Sequence, residues 1–120
     1  METRKKLLIC DDEEGVRESL KLIFEDSYDL TFAENGVQAI EKVKSENPAL
    51  MILDIKMPKV NGFETLREIK KLSPSIKVII ASGYKSVETA QEAMKLGASD
   101  YVVKPFESDE IKSIASRLVS

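Results

Sequence analysis

The 120-residue chain contains no histidine and a single cysteine, Cys10. Without histidine there can be no Ser-His-Asp or Cys-His machinery and none of the usual catalytic zinc sets. Nor can the chain itself donate a phosphoryl group from phosphohistidine. One cysteine allows neither an internal disulfide nor a Cys-rich zinc centre. Glycine and proline are sparse, at 5 and 4 residues, which removes low-complexity and linker-rich classes. Long apolar runs are missing too. Behind the basic Arg4-Lys5-Lys6, the apolar run from Leu7 to Cys10 gives way to four consecutive acids. That is too short for a signal peptide, and no stretch approaches membrane-spanning length. A net charge of -3 with no clustered basic surface argues against direct nucleic-acid binding. The remaining chemistry is that of carboxylates, hydroxyls and lysines in a protein expected to be cytoplasmic.

What is present is a globular composition, 42% hydrophobic and 32% charged, in one domain spanning residues 1–120. Short apolar runs alternate five times with segments of helical period. The strand candidates are Leu7–Cys10, Asp29–Ala33, Leu50–Leu53, Val78–Ala81 and Tyr101–Val103. Four are nearly continuous apolar runs, as parallel strands covered on both faces should be. The second alternates more and suits an edge. The helical stripes are expected at Val16, Leu20, Ile23; Val37, Ile40, Val43; Leu66, Ile69, Leu72; Val87, Ala90, Met94; and Ile111, Ile114, Leu118. Gly36 reads as a turn into the second helix and Gly97 as the stop of the fourth. Strict βα alternation predicts an α/β, doubly wound parallel sheet of five strands with right-handed crossovers.

In such a sheet, ligands bind beyond the carboxyl ends of the strands. Those ends carry Asp11 and Asp12, Asp54, Ser82 and Lys104. Glu34 ends the edge strand and should lie outside the site. Two carboxylates about 5 Å apart repel by roughly 3 kcal/mol at an effective dielectric near 20. Such a cluster needs a cation, a shared proton or both. An all-oxygen set favours a hard ion, and Mg²⁺ takes one or two carboxylates, waters and a phosphate. Each residue also has a plainer reading. Acids favour helix N-termini, which accounts for Glu13 and Glu14; Asp is common in turns; Lys104-Pro105 could be an ordinary strand exit. Chance would have to place all five residues at functional strand ends together, so the joint reading is preferred.

These residues resemble the receiver domains of two-component response regulators. The resemblance runs from Lys6 to Leu118 and rests on four fragments in order. They are Leu8-Ile9-Cys10-Asp11-Asp12, Ile52-Leu53-Asp54-Ile55-Lys56-Met57-Pro58 with Gly62, Val78-Ile79-Ile80-Ala81-Ser82-Gly83, and Gly97-Ala98 with Asp100-Tyr101 and Lys104-Pro105-Phe106. It implies a flavodoxin-like fold with strand order 2-1-3-4-5. It further implies that Asp54 is the phosphoacceptor, that Asp12, Asp54 and the Lys56 backbone carbonyl ligate Mg²⁺ (or Mn²⁺), and that Asp11 acts through water. Lys104 would pair with the phosphoryl oxygens, Ser82 would donate to one of them, and Tyr101 would be the rotameric switch. Lys104-Pro105 would be a cis peptide, and Lys56 and Tyr84 would tune phosphoryl lifetime.

The implied donor is a sensor histidine kinase or histidine phosphotransfer protein, docking near the first helix and the loop after Phe106, with Gly15, Ser19 and Leu22 as contacts. The fourth helix, fifth strand and fifth helix would face an effector or output domain. The chain is expected to be a signalling domain that promotes only its own phosphorylation and dephosphorylation. It is expected to be monomeric, with dimerisation on phosphorylation left open. Ser82 stands where many members carry Thr, and Cys10 stands where an aliphatic residue is usual. Val87 to Tyr101 resembles receivers attached to σ54-type activators, so a receiver cut from a longer regulator is the alternative to a stand-alone regulator. A haloacid-dehalogenase-like phosphatase is remote, since that chemistry looks like Asp-x-Asp and Lys56 occupies the second position. A flavin or nucleotide module is weaker still, because the first loop is acidic rather than glycine-rich.

Overall fold

The computed structural model describes residues 4–56, 62–83 and 86–119. Five strands alternate with five helices: β1 (Lys6–Cys10), α1 (Glu14–Phe24), β2 (Asp29–Ala33), α2 (Gly36–Glu46), β3 (Leu50–Leu53), α3 (Gly62–Leu72), β4 (Lys77–Ser82), α4 (Val87–Lys95), β5 (Asp100–Val103) and α5 (Ser108–Val119). All strand pairs are parallel, in the order β2-β1-β3-β4-β5. This is the expected doubly wound order with β2 at an edge, and strand bounds agree with the sequence to within a residue or so.

The pleat sorts each central strand between two cores. Leu8 and Cys10 of β1, Met51 and Leu53 of β3, and Val78 and Ile80 of β4 face Ala39, Val43, Leu66, Ile69 and Ala93 of α2, α3 and α4. Leu7, Ile9, Leu50, Ile52, Ile79 and Ala81 face Leu20 and Phe24 of α1 and Ile111 and Ala115 of α5. Both faces are covered, which is why the runs are apolar without alternation.

Three expected helical stripes are corrected in part. In α2, Ile40 and Val43 pack inward as expected, but Val37 is 48% exposed and Ala39 is the further buried residue. In α4, Val87 is 68% and Met94 46% exposed, and the buried residue is Ala93. In both helices a small buried alanine sits against the sheet, while Val37 of α2 and Val87 and Met94 of α4 turn outward. Leu72 at the end of α3 is also exposed.

Termini follow local chemistry. Asn35 caps α2 by accepting from Gln38 N–H at 2.9 Å, so Gly36 is the first helical residue rather than the turn before it. Asn47 ends α2 in the left-handed conformation at φ 49°. Gly97 ends α4 at φ 107°, a backbone that disfavours any side chain.

Candidate functional site

The register brings the carboxyl ends of β1, β3, β4 and β5 to one edge of the sheet. Asp54 follows β3, and its N–H continues the ladder by donating to the Cys10 carbonyl at 3.0 Å. Asp11 follows β1 and donates its N–H to Ala33 O on β2 at 3.1 Å. These backbone bonds set the two carboxylates side by side, and both residues are buried. Lys104 arrives from the end of β5, with its N–H donating to Ser82 O at 2.8 Å. Its ammonium lies 2.7 Å from Asp11 Oδ2, 3.1 Å from Asp54 Oδ2 and 3.8 Å from Glu13 Oε1. The Lys104-Pro105 peptide is cis.

The other carboxylate oxygens are held by backbone. Asp54 Oδ1 accepts from Lys56 N–H at 2.9 Å, and Asp11 Oδ1 accepts from Glu13 N–H at 2.9 Å. Asp12 is exposed on the rim. Oxygen atoms of Asp11, Asp12, Glu13 and Asp54 all lie within 4.8 Å of one another. A hard, all-oxygen donor set of this kind could hold a divalent cation, and the one Lys104 ammonium cannot offset four carboxylates.

The electrostatics reflect the crowding. Burial pushes the Asp54 carboxyl above its ordinary range; the Lys56 N–H and the Lys104 charge oppose this, and Asp11 adds to it. Burial alone would lower the Lys104 ammonium, but bonding and charge from Asp11 and then Asp54 outweigh it, so it is held above its usual value. Cys10, directly below, is pushed up to about 12 by burial and then by the charges of Asp11 and Asp54. It is a protonated core residue.

Ser82 ends β4 and is fully buried. Tyr101 is half-buried and packs against the core beneath α4. Tyr101 pairs with Ile80 in register, so it and Ser82 stand on the same face of the sheet, one diagonal step apart. Tyr84 and Met57 to Asn61, including Pro58, lie outside the described residues.

Two participants were not singled out from the sequence. Glu13, read there as helix-terminal charge, caps α1 by position without a side-chain bond and also joins the acidic group. Arg17 was missed entirely. Its Nη1 donates to the Asp11 carbonyl at 2.7 Å, and Nη2 reaches Glu34 Oε1 at 3.5 Å. Glu34 is thus outside the acidic group but one contact away from it. The available signal was spacing: a residue on the first turn of α1 necessarily overhangs the loop that precedes it.

The family model for the response regulator receiver domain matches residues 7–116. The chain belongs to this family. As a receiver domain it has the flavodoxin-like topology and is a signalling domain of two-component systems. It is 38% identical over 114 residues to the sporulation initiation phosphotransferase F of Bacillus subtilis strain 168, covering 94% of this chain and 92% of that protein. Over 93 residues it is 44% identical to the transcriptional regulatory protein ZraR of Klebsiella oxytoca, covering 78% of this chain. The receiver domain spans about a fifth of that relative's length, at 21%. A solved CheY-like receiver domain from Methanospirillum hungatei superposes with a TM-score of 0.90 at 32% identity, covering 98% of this chain and 95% of that one. Among the described residues, no helix is long and apolar enough to cross a membrane.

Proposed function

We propose that this receiver domain accepts a phosphoryl group on Asp54 in a reaction that depends on Mg²⁺. The observation that carries the reading is the Lys104 ammonium bridging Asp11 and Asp54 inside a group of four carboxylates. Asp12, Asp54 and the Lys56 carbonyl are the proposed ligands, with Asp11 acting through water. When bound, the ion supplies charge neutralisation for the incoming phosphoryl oxygens; Mn²⁺ has the same oxygen preference and is the alternative.

The chain's own residues do the rest. A carboxylate oxygen of Asp54 bonds to phosphorus as the P–N bond of a partner's phosphohistidine breaks, and the electron pair leaves on the imidazole nitrogen. Phosphoryl transfer of this kind is mainly positioning plus charge compensation. Lys104 exchanges its contact with Asp54 for the phosphoryl oxygens. Ser82 donates to one of them, and Tyr101, on the same face, follows it inward as the switch. Lys56, with Tyr84 in the same role, shields the acyl phosphate from water. The domain turns over no other substrate.

The proposed donor is a sensor histidine kinase or histidine phosphotransfer protein. It would dock on the groove between α1 and the segment after β5, lined by Gly15, Val16, Ser19, Ile23, Pro105 and Phe106. Leu22, 73% exposed, lies farther along α1. The output surface is α4, β5 and α5, where exposed Val87 and Met94 flank the partly buried Ala90 in an apolar strip. A second reading, a receiver belonging to a longer σ54-type activator, is favoured by the 44% identity to a fifth of ZraR. The extent of the natural reading frame decides between them.

The test is mass spectrometry after acetyl phosphate, with and without Mg²⁺. One phosphoryl group should be added only with the metal and only while Asp54 is present. A phosphorylated product that persists as the major species in Asp54→Asn refutes the assignment.

A further inference from the structure

We propose that Arg17 is a positioning residue for the cation site, acting through the peptide that joins Asp11 to Asp12. This rests on the Mg²⁺ reading above and adds a residue to it. The Asp11 side chain is already held by Glu13 N–H at 2.9 Å and by Lys104 at 2.7 Å. Asp12 is different. It is exposed, and among the described residues no hydrogen bond holds its carboxylate. The aim of Asp12 therefore depends on the plane of the peptide before it, whose oxygen is the Asp11 carbonyl. That oxygen receives the 2.7 Å bond from Arg17 Nη1.

Three further observations favour positioning over bulk charge. The Arg17 side chain is only 15% exposed, so its rotamer is fixed by its surroundings. Its second nitrogen faces Glu34 Oε1 at 3.5 Å, so the pair brings little net charge to the site. Glu34 N–H is itself tied to Gln38 Oε1 at 2.8 Å, which anchors the far end of the fork to α2. The guanidinium spans from the end of β1 to the end of β2, a reach that its planar two-pronged geometry permits and a lysine's single ammonium does not. Groups that orient metal ligands typically change metal affinity by about 10- to 100-fold when removed.

The test is titration of the chelator-stripped protein with Mg²⁺ by calorimetry, at a temperature where every variant is folded. The wild type is compared with Arg17→Lys, Arg17→Met and Asp12→Asn. Both Arg17 variants should bind Mg²⁺ about tenfold more weakly or worse. Arg17→Lys keeps the charge and most of the stem, so it separates aim from charge. Tighter binding in Arg17→Met with unchanged binding in Arg17→Lys would mean that Arg17 acts only as a repelling charge, and would overturn the proposal. A lowered metal-free melting temperature with wild-type Mg²⁺ affinity would reduce it to a structural residue. Should the wild type fail to bind Mg²⁺, or Asp12→Asn bind as the wild type does, the site reading falls and Arg17 with it. Should those controls behave and only the Arg17 variants match the wild type, the Arg17 assignment alone fails.

Discussion

Lys104 and Asp11 stand 93 residues apart in the chain, and their side chains meet at 2.7 Å. The same ammonium also serves Asp54, so one cation separates two buried carboxylates. Replacing it with methionine leaves those charges facing each other. Lys104→Met should destabilise the metal-free domain by about 3 kcal/mol, the usual scale for removing one partner of a buried ion pair. Mg²⁺ should then stabilise the variant more than the wild type, because it restores the missing charge. Urea unfolding with EDTA and with Mg²⁺ reads both effects. An unchanged midpoint in EDTA would show that the ammonium is not bridging in solution.

Asp54→Asn should abolish phosphorylation without unfolding the domain. Burial raises the Asp54 carboxyl, so its ionised form is disfavoured in the fold. A raised carboxyl contributes stability below its unfolded value, and that contribution is lost as pH rises through the folded value. In EDTA the stability of Asp54→Asn relative to wild type should therefore improve as pH is raised from the acid range to neutrality. A relative loss over that interval would contradict the burial of the Asp54 carboxyl.

Much of this site was legible because strict βα alternation fixes which residues end strands, and Asp54, Ser82 and Lys104 needed nothing else. Asp11 and Asp12 were legible for the same reason. Arg17 was not, since an arginine on the polar side of an amphipathic helix looks like any solvated charge until the helix is seen folding over its own preceding loop. Glu13 was hidden by its good plainer explanation. The outward turn of Val87 and Met94 escaped a periodicity reading because Ala93, the true inward residue of α4, carries little hydrophobic signal. The edge position of β2 followed from its alternation, and the cover on both faces of the sheet from the unbroken apolar runs of the other strands.

Cys10 should be inert in the folded protein. Its side chain is 1% exposed, and its thiol is pushed up to about 12. Native protein should react with a disulfide reagent far more slowly than protein in denaturant. The unfolded thiol loses its proton near pH 9 and the folded one only near 12, so the fold binds the extra proton between them. The stability advantage of wild type over Cys10→Ala should shrink as pH rises through that window. Rapid labelling under native conditions would disprove the burial.

Gly62→Ala tests the close packing against Ile55, the residue after Asp54. A Cβ there would lie 2.5 Å from the Ile55 carbonyl oxygen and closer still to its Cα, in the residue next to Asp54. Backbone cannot yield as a side chain can, so a loss of about 3 kcal/mol is expected. Phosphorylation by acetyl phosphate should slow as well, because Ile55 and Asp54 move together. Full stability and full rate in the variant would show that the close approach is not required.

The fifth strand has one more consequence. At its foot, Ser99 N–H donates to Val78 O at 2.7 Å, while Val78 N–H donates to Ser99 Oγ at 3.1 Å. At its head, Lys104 N–H holds Ser82 O at 2.8 Å. A beam clamped at both ends cannot slide along its neighbour, because any slip breaks both clamps at once. On the proposed reading, a pull exerted on Ser82 would therefore pass sideways as tilt. It would reach Tyr101 beneath α4 and Val102 against the α5 core, which lie on opposite faces of the same four-residue strand.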